Sequence, residues 1–583
     1  LGGEQALSLV SGICPAIIDA LPFPKRMRWG SGNITFARPL RWLLALLDAE
    51  VVPFSLGALR SGNLTYGHRV HGPGPFTVPH ARDYFTVIRE QGGIISDSRL
   101  RRAHIVEEGN RLAAEKTGAV LWKESLLDEV QGLCERPVPL LGNFSPSYLE
   151  LPREVLLAAM ETHQKSFGLE GQDGNLLPYF LTVLNLRPSR PEGVKKGWER
   201  VLRARLEDAR FFWRTDLAAG FDTWRNALDS VVFLAPLGSM GDKARRISRL
   251  CGWLADSVRF VADTPAVDKE KALRAGLLCK ADLVSTMVRE FDMLQGIMGA
   301  IYALRAGEAE DVAQAIREQY LPAGPDSQVP STLYGAFLSL ADKADTLTGC
   351  FGLGMIPTGA ADPYGLRRAA LGMARIMREK GLRFDLFAFF AQAVEEYGPC
   401  EWKLLPEQSL PRLREFLTMR LKHQFLAEGA ETLLVEACLL ADASDVWAAS
   451  ARLAALTAFS RTEDFSAAVL TFKRAANILR KQTQEDEILL RGPYSPELLV
   501  DEAEKALAAE LERLSPLFSQ LRREDRYAEL FALLRVLRPF VDAFFDQVMV
   551  MCEDEDKRNN RLSLLQALVS RLGSLADFTA LQI

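Results

Sequence analysis

From about Trp198 to the end of the chain, apolar side chains recur at intervals of three and four positions, and this helical period constrains the fold more than any other feature. The stretches WERVLRARLEDARFFWRTD, MGDKARRISRLCGWLADSVRF and LRRAALGMARIMREKG all show it, and such spacing places apolar residues on one face of a helix. Residues 280–308, KADLVSTMVREFDMLQGIMGAIYALRAGE, show it too and are predicted to form one long helix. The second part of the chain is therefore predicted to be almost wholly helical.

The first part, up to about Leu184, follows a different pattern. VVPFSLGALRSGNLTYGHRV alternates and carries glycine and asparagine turn signals, which is typical of strands and hairpins. DYFTVIREQGGIISDSRLRRAHIVEEGNRLAAEK predicts a helix, a short strand after the Gly-Gly break and a second helix, and YFLTVLNL predicts a buried strand. The fold class is therefore a multidomain α+β chain, mixed at its start and helical afterwards.

Length, charge and cysteine usage narrow the class of protein. The 583 residues are enough for several domains, and a net charge of −5 excludes a general polyanion binder. The eight cysteines are dispersed and form no CxxC pair, which together with the lack of a secretion signal indicates a reducing compartment. No apolar run approaches the roughly 20 residues that a membrane helix needs. The sequence predicts a cytoplasmic protein without a membrane contact.

Three charged residues raise the question of a metal site: Lys280, Asp282 and Asp342. Phosphohydrolases of the HD type bind metal ions through a histidine, an adjacent His-Asp pair and a later aspartate, because imidazole and carboxylate groups suit divalent cations. Here Lys280 stands where the pair would begin, and residues 164–422 contain no histidine. A charged lysine has no lone pair for a metal, so we predict no metal and expect the two aspartates to bond to lysine or arginine neighbours.

A helix start is predicted in GMIPTGAADPYGLRRAALGMARIM. Asp362 followed by Pro363 is a strong N-cap and first-turn pair, which places Arg367 and Arg368 in the first two turns. The free N–H groups of such a terminus attract phosphate, and the arginines would add to that attraction. A well-capped core helix explains the same residues equally well, and the sequence does not decide between the two.

Basic clusters with nearby aromatic residues recur in PFPKRMRWGSGNITFARPLRWLL, TFKRAANILRK and EDKRNNRLSLL. Such clusters suit RNA through phosphate pairing and base stacking, although most of them are only solvated helix faces. In the third cluster, Arg558 and Arg561 share a helix face and are predicted to reach RNA, unless they pair with the acidic run 553–556. The candidate RNA-contact residues are Arg38, Arg41, Arg367, Arg368, Lys473, Arg474, Arg558, Asn560 and Arg561.

No phosphate-binding loop, nucleophile elbow, dinucleotide fingerprint or zinc signature appears, so no catalytic residue is predicted. Ordered and specific blocks nevertheless extend over nearly the whole chain. They are LPFPKRMRWG, FARPLRWLLALL, THQKSF, ARLEDARFFWRTDL, CKADLVSTMVREFDMLQGIMGAIYA, LADKADTLTGCFGLGMIPTGAADPYGLRRAALG, FKRAANIL and VDAFFDQVMVMCEDEDKRNNRLSLL. In these blocks the chain resembles the beta subunits of bacterial-type heterotetrameric glycyl-tRNA synthetases.

The resemblance implies a division of labour between two kinds of subunit. The family's alpha subunit carries the class II active site that uses ATP and Mg²⁺, whereas this chain would bind glycine tRNA, hold no cofactor and assemble as alpha2beta2. It also implies a domain order along the chain. The domains would be an editing-like α+β domain at 1–195, a degenerate HD-like helical domain at 196–400, a helical body at 401–490 and an anticodon-binding helical bundle at 491–583.

Two other functions stay open at this point. One is a stand-alone metal-dependent phosphohydrolase of the HD type, against which the lack of histidine argues. The other is an RNA-binding scaffold outside translation. The family's N-terminal segment is not seen in this sequence, so its contribution to docking of the alpha subunit also stays open.

Overall fold

A computed structural model describes residues 6–29, 34–262, 266–359, 361–482 and 492–581. The chain divides into two compact units, Leu1–Asp216 and Leu217–Ile583. Among the described residues, no helix is long and apolar enough to cross a membrane.

The first unit combines short strands with a few helices. Its helices are α1 (Ala6–Ala20), α2 (Tyr84–Glu90), α3 (Ser98–Ala114), α4 (Glu124–Leu133) and α5 (Arg153–Ala158), and α6 (Pro191–Ala219) continues past its end. Its strands are β1 (Met27–Arg28), β2 (Thr35–Phe36), β3 (Leu43–Leu44), β4 (Leu46–Leu47), β5 (Glu50–Val51), β6 (Ser55–Leu56), β7 (Leu59–Gly62), β8 (Leu64–Thr65), β9 (Phe76–Thr77), β10 (Gly118–Val120), β11 (Val138–Asn143), β12 (Phe167–Gly171) and β13 (Leu176–Leu184).

A four-stranded antiparallel sheet in the order β10-β12-β13-β11 forms the centre of this unit. Helices α3 and α4 pack against it and bury Ile105 and Leu127 with Phe167 and Leu181 of the sheet. The buried strand predicted in YFLTVLNL is confirmed as part of β13, and the predicted hairpins are confirmed as the short strands from β5 to β8.

The strand predicted after the Gly-Gly break is wrong, although the helices on either side of it are confirmed as α2 and α3. The backbone there is bonded to other groups instead of a neighbouring strand. The Ile95 N–H donates to the Glu135 carbonyl at 2.9 Å. The Arg101 guanidinium donates to the carbonyls of Ile95 and Ser96 at 2.8 and 2.9 Å.

The second unit is helical, as predicted. Its helices are α7 (Phe221–Ala227), α8 (Met240–Ser257), α9 (Lys269–Leu278), α10 (Thr286–Glu290), α11 (Ile297–Arg305), α12 (Glu310–Glu318), α13 (Leu333–Gly352), α14 (Leu366–Glu379), α15 (Leu386–Tyr397), α16 (Pro406–Ala427), α17 (Thr432–Ala441), α18 (Val446–Ser460), α19 (Phe465–Arg480), α20 (Glu502–Arg523), α21 (Tyr527–Gln547) and α22 (Glu555–Gly573). Its short strands are β14 (Val232–Leu234), β15 (Gly238–Ser239), β16 (Arg259–Phe260) and β17 (Leu382–Arg383).

Helix α13 lies at the centre of the second unit and contacts α8, α12, α14, α15 and α16. Most of its residues are buried, as expected for a helix that is apolar nearly all round. At the end of the chain, α20 packs against α21, and α19 packs against α21 and α22. The boundary predicted at residue 490 falls among residues 483–491, which lie outside the described part of the chain.

The single helix predicted for residues 280–308 is wrong. The segment consists of a 3-10 turn at Ala281–Val284, helix α10, a second turn at Asp292–Leu294 and helix α11. Ser285 leaves the helical backbone region, with ψ 150°, and caps α10 with its side chain. Gly296 has φ +78°. Glycine adopts this backbone conformation readily, and a helix cannot continue through a residue that has it.

Candidate functional site

Lys280 is buried just after α9, where the sequence raised the question of a metal. Its side chain is 2% exposed, and its Nζ donates to Asp342 Oδ2 and to Gln319 Oε1, both at 2.8 Å. The ammonium also lies 4.2 Å from the ring centroid of Tyr320. Burial alone would lower the pKa of Lys280, but the Asp342 carboxylate outweighs it and raises that pKa above its ordinary value. Lys280 is therefore a buried cation.

Helices α8 and α13 contribute the other members of this group. Lys243 Nζ lies 3.1 Å from Asp342 Oδ1, an ion pair without hydrogen-bond geometry, and 2.8 Å from Asp345 Oδ2. Arg246 Nε donates to Asp345 Oδ1 at 2.5 Å. We call Lys243, Arg246, Lys280, Asp342 and Asp345 the buried charge cluster. The ion pair expected for Asp342 is present, and the cluster joins α8, α13 and the turn after α9.

Asp282 behaves differently from the prediction that it bonds to lysine or arginine. Its Oδ2 accepts the N–H groups of Gly296 at 2.6 Å and Gly299 at 2.9 Å, so it caps the start of α11. A Cβ on Gly299 would lie 2.9 Å from this oxygen, so glycine permits the close approach. Burial raises the pKa of Asp282 to about 6, against the lowering effect of the two N–H groups.

We expect Asp282 to favour the folded state more at acidic pH than at neutral pH. Its pKa is about 6 in the folded chain and 3.8 ordinarily. Between these two pH values the folded state therefore binds one more proton than the unfolded state. The stability that this proton contributes is fully present below pH 3.8 and is lost as pH rises through about 6. The shift corresponds to about 3 kcal/mol.

The variant Asp282→Asn measures this effect because asparagine does not titrate. The unsubstituted chain should lose about 2.4 kcal/mol of unfolding free energy relative to the variant between about pH 4 and pH 7, which is most of the full shift. Urea unfolding of both proteins at the two pH values gives the difference. A difference that stays constant with pH would contradict the expectation.

The donor set of this region does not suit a divalent cation. Lys280 presents an N–H donor to Asp342, where a metal site needs a lone pair. Asp345 is occupied by Lys243 and Arg246, and Asp282 by backbone N–H groups. Within the described ranges, no three histidine, cysteine, aspartate or glutamate side chains are grouped so that they could hold a metal. The arrangement can hold helices together. That the chain binds no metal stays a prediction.

The predicted free orientation of Arg561 is wrong. Its side chain is 8% exposed and forms ion pairs with Asp501 Oδ2 at 2.7 Å and with Glu504 of α20. Its Nη1 also donates to the Met549 carbonyl at 2.8 Å. Arg561 therefore links α22 to α20 and to the loop before α22. It does not extend into solvent, where RNA could bind, and it does not pair with the acidic run 553–556.

Asn560 is also hydrogen-bonded inside the protein, so its amide is not available to base edges as predicted. It is 6% exposed. Its Oδ1 accepts the N–H of Ser495 at 2.6 Å, and its Nδ2 donates to the carbonyl of the same residue at 3.1 Å. Arg558 is half-buried and donates to the Cys552 carbonyl at 3.4 Å. The acidic run instead pairs with Lys557, whose Nζ lies 3.1 Å from Asp554.

Helix α19 keeps a basic face in contact with solvent. Lys473 is half-buried and donates to the Leu581 carbonyl at 2.8 Å. Arg474 is exposed, and its guanidinium carbon lies 4.5 Å from the ring centroid of Phe545 on α21. Arg480 and Lys481 are exposed at the end of the helix. Arg474 and Lys481 are seven positions apart and share a face, so this helix can present two cations together.

The phosphate site predicted at Arg367 and Arg368 is already filled from within the chain. Helix α14 begins at Leu366, later than predicted. The Asp362 carboxylate accepts the N–H groups of Leu366 at 2.8 Å and Arg367 at 3.0 Å. The Arg367 guanidinium donates to the Gly359 carbonyl at 2.7 Å. The well-capped helix is therefore the better account of this segment. Of the two arginines, Arg367 is half-buried and Arg368 is exposed.

Two candidate residues belong to the first unit. Arg38 and Arg41 are both exposed. Trp42, next to Arg41, packs its ring on Tyr66 with centroids 4.8 Å apart. The combination of cations and aromatic rings predicted here is therefore present, and contact with RNA stays a prediction for these residues.

Five arginines that no sequence motif singled out line one cavity of the second unit. They are Arg259, Arg383, Arg452, Arg522 and Arg523, and the cavity has a volume of about 650 Å³. Two signals in the sequence point to them. One arginine interrupts the apolar stretch VWAASARLAALTAF, and the adjacent pair in LRREDR ends a helix.

Two family models match the chain in succession. The model described as glycyl-tRNA synthetase beta subunit matches residues 2–440. The model described as DALR anticodon binding domain matches residues 469–577. The second match contains α20, α21 and α22 together with most of α19.

Curated relatives match over the whole length of the chain. The glycine--tRNA ligase beta subunit of Nitratidesulfovibrio vulgaris (strain DP4) is 62% identical over 583 residues, which are all of this chain and 83% of the relative. That of Oleidesulfovibrio alaskensis is 62% identical over 582 residues, with the same coverage. That of Moorella thermoacetica is 41% identical over 583 residues, 99% of this chain and 82% of the relative.

Proposed function

The chain belongs to the glycyl-tRNA synthetase beta subunit family, and on that premise we propose that it binds glycine tRNA and positions it so that a partner alpha subunit attaches glycine with ATP. The observation that carries the RNA-binding part is the exposed basic face of α19, with Arg474 and Lys481. This face lies within the segment that matches the DALR anticodon binding domain.

The chemistry of this face suits an RNA backbone. Arginine and lysine neutralise phosphates and release counterions, which supplies affinity without regard to sequence. The guanidinium of Arg474 rests on the ring of Phe545, and this contact orients the planar group while leaving its N–H donors free. The acidic residues at 553–556 would repel phosphate, so we place the RNA along α19 and away from the start of α22.

The catalytic work is assigned to the alpha subunit in this proposal. The sequence contains no phosphate-binding loop or class II signature, so ATP and Mg²⁺ would be bound by the partner, in an alpha2beta2 assembly in the cytoplasm. The second unit would supply a rigid helical scaffold related to HD domains. In that scaffold the cation of Lys280 and the carboxylate of Asp342 form an internal ion pair.

A double variant tests the proposed contact. In Arg474→Ala/Lys481→Ala, loss of two phosphate contacts should reduce the slope of log affinity against log salt by about 1.5. The fold should be retained because both side chains are exposed. The affinity for glycine tRNA is measured over a range of salt concentrations.

The matched control is Arg305→Ala/Arg412→Ala, which removes two other exposed cations from the second unit. It should leave the slope unchanged. Equal slopes for both double variants and the unsubstituted chain would mean that α19 does not contact RNA. If the unsubstituted chain binds no tRNA at all, the RNA-binding function itself is wrong.

A further inference from the structure

The cavity of about 650 Å³ in the second unit is open to solvent and lies where α18 and the β16–β17 ladder meet the end of α20. We call it the arginine cavity, after Arg259, Arg383, Arg452, Arg522 and Arg523 in its walls. It also has serine hydroxyl groups in its lining, from Ser444, Ser519 and Ser574. Its walls come from distant parts of the chain, so the site exists only in the folded unit.

Two of the arginines face each other across a strand pair. Arg259 on β16 and Arg383 on β17 are direct partners in the antiparallel register, and like charges in that position are unfavourable. Arg383 is compensated by Asp445, 2.8 Å away, and by Asp525. Arg259 is exposed and forms no ion pair with the described residues, so one charge of the pair is uncompensated.

Arg452 lines the same cavity from α18 and is 3% exposed. Its Nη2 donates to the carbonyls of Cys438, at 3.1 Å, and Asp442. Its Nε is buried and has no hydrogen-bond partner within the described ranges. No carboxylate there forms an ion pair with this guanidinium, and a buried charge without a counter-ion is costly. Arg452 therefore contributes a positive charge to the wall of the cavity.

Arg522 and Arg523 end helix α20 and are exposed. Arg523 donates only to the Ser519 carbonyl, at 3.3 Å, and Arg522 makes no side-chain hydrogen bond or ion pair with the part of the chain that the structure describes. The neighbouring Glu524 forms its ion pair with Arg526, 3.1 Å away, rather than with either of these two arginines. Neither guanidinium has a carboxylate ion-pair partner among the described residues, so both have N–H donors left for an anion.

Three aspartates line the cavity as well, and each is already occupied. Asp385 accepts the N–H groups of Phe387 and Ala388, at 2.8 and 3.0 Å, and so caps α15. Asp442 accepts the N–H of Ser444 at 2.8 Å, and Asp445 pairs with Arg383. Among the described residues, four arginines of the lining have no carboxylate partner and two aspartates of the lining have no cationic partner, so the lining carries a net positive charge.

We propose that the arginine cavity binds a phosphate group. Guanidinium groups present paired N–H donors that match phosphate oxygens, and the serine hydroxyls add further donors. Under the proposed function, on which this part rests, the phosphate belongs to the RNA backbone. A free phosphate would use the same donors, and the two sources are separated by experiment.

The test uses the full chain with Arg259→Ala/Arg522→Ala, two exposed positions whose loss leaves the ion pairs of Arg383 intact. The control is again Arg305→Ala/Arg412→Ala. In the first arm, affinity for glycine tRNA is measured against salt, and the cavity variant should lose about one unit of log–log slope and roughly tenfold in affinity. In the second arm, the unfolding temperature is compared in inorganic phosphate and in chloride at equal ionic strength, since a bound anion stabilises the folded state.

A smaller slope in the cavity variant than in the control assigns the site to an RNA phosphate. Loss of phosphate stabilisation in the cavity variant with unchanged tRNA binding assigns it to a free phosphate. If the cavity variant matches the control in both arms, the proposal is overturned while the function of α19 is untouched. If the unsubstituted chain binds no tRNA, the proposed function fails and the phosphate arm alone decides the cavity.

Discussion

Lys280→Met is expected to lower the free energy of unfolding by about 3–5 kcal/mol, because it removes one partner of a buried ion pair and leaves the other without full compensation. Methionine has a similar length and keeps most of the packing. Among the described residues, Asp342 would then keep one ion-pair partner, Lys243, through a 3.1 Å contact without hydrogen-bond geometry. Gln319 Oε1 would lose the 2.8 Å hydrogen bond that it now accepts. Chemical unfolding followed by tryptophan fluorescence measures the loss.

The matched control is Lys269→Met, the same substitution at an exposed ion pair. Lys269 and Asp256 are 49% and 58% exposed, and exposed pairs of this kind contribute at most about 1 kcal/mol. If Lys269→Met and Lys280→Met destabilise the chain equally, the buried charge cluster is not a structural element.

A second substitution separates the cost of an unpaired charge from the cost of lost packing. Adding Asp342→Leu to Lys280→Met should cost less than the sum of the two single changes, because the carboxylate left unpaired is removed with its partner. Lys243 keeps Asp345 at 2.8 Å. Strict additivity would mean that Lys280 and Asp342 do not interact.

The helical character of the second unit could be predicted from the sequence because its apolar period is long and regular. The break within residues 280–308 could not. Met287, Phe291 and Met298 are all buried, so their spacing looks the same for one helix as for separate turns that pack on a common core. The break depends on the Asp282 carboxylate, whose partner N–H groups lie 14 and 17 residues further along.

The candidate RNA contacts show the same limit. The spacing of Arg558 and Arg561 correctly indicates that they lie on one helix, α22. Local spacing contains no information on Glu504 and Asp501, which lie 57 and 60 residues earlier and bind Arg561. The arginine cavity is still less visible, because its lining runs from Arg259 to Leu575 and only the fold brings these residues together.

The family was indicated by a different kind of sequence information. Composition and periodicity lead only to a mostly helical protein with basic patches. The long ordered blocks, such as LADKADTLTGCFGLGMIPTGAADPYGLRRAALG, indicated the family, and the family match over residues 2–440 confirms it. Which side chains contact the tRNA depends on exposure and partners, and only the structure supplies those.

The largest expected effect on activity is the complete dependence of glycine attachment on both kinds of subunit. We expect the isolated chain to show no glycine-dependent exchange of pyrophosphate into ATP, because its sequence contains neither a phosphate-binding loop nor a class II signature. We expect the alpha subunit alone to charge tRNA at least about a hundredfold more slowly than the complex, which corresponds to roughly 3 kcal/mol of lost transition-state binding. Binding of the tRNA by this chain supplies that energy in the proposed function.

The most direct test of tRNA positioning by this chain is the initial rate of glycine attachment to glycine tRNA in three reactions with equal ATP and Mg²⁺. They contain the alpha subunit alone, this chain alone, and the two together. We expect rapid charging only in the third reaction. Charging by this chain alone, or equal rates with and without it, would contradict the proposed role of the chain as the tRNA-binding subunit.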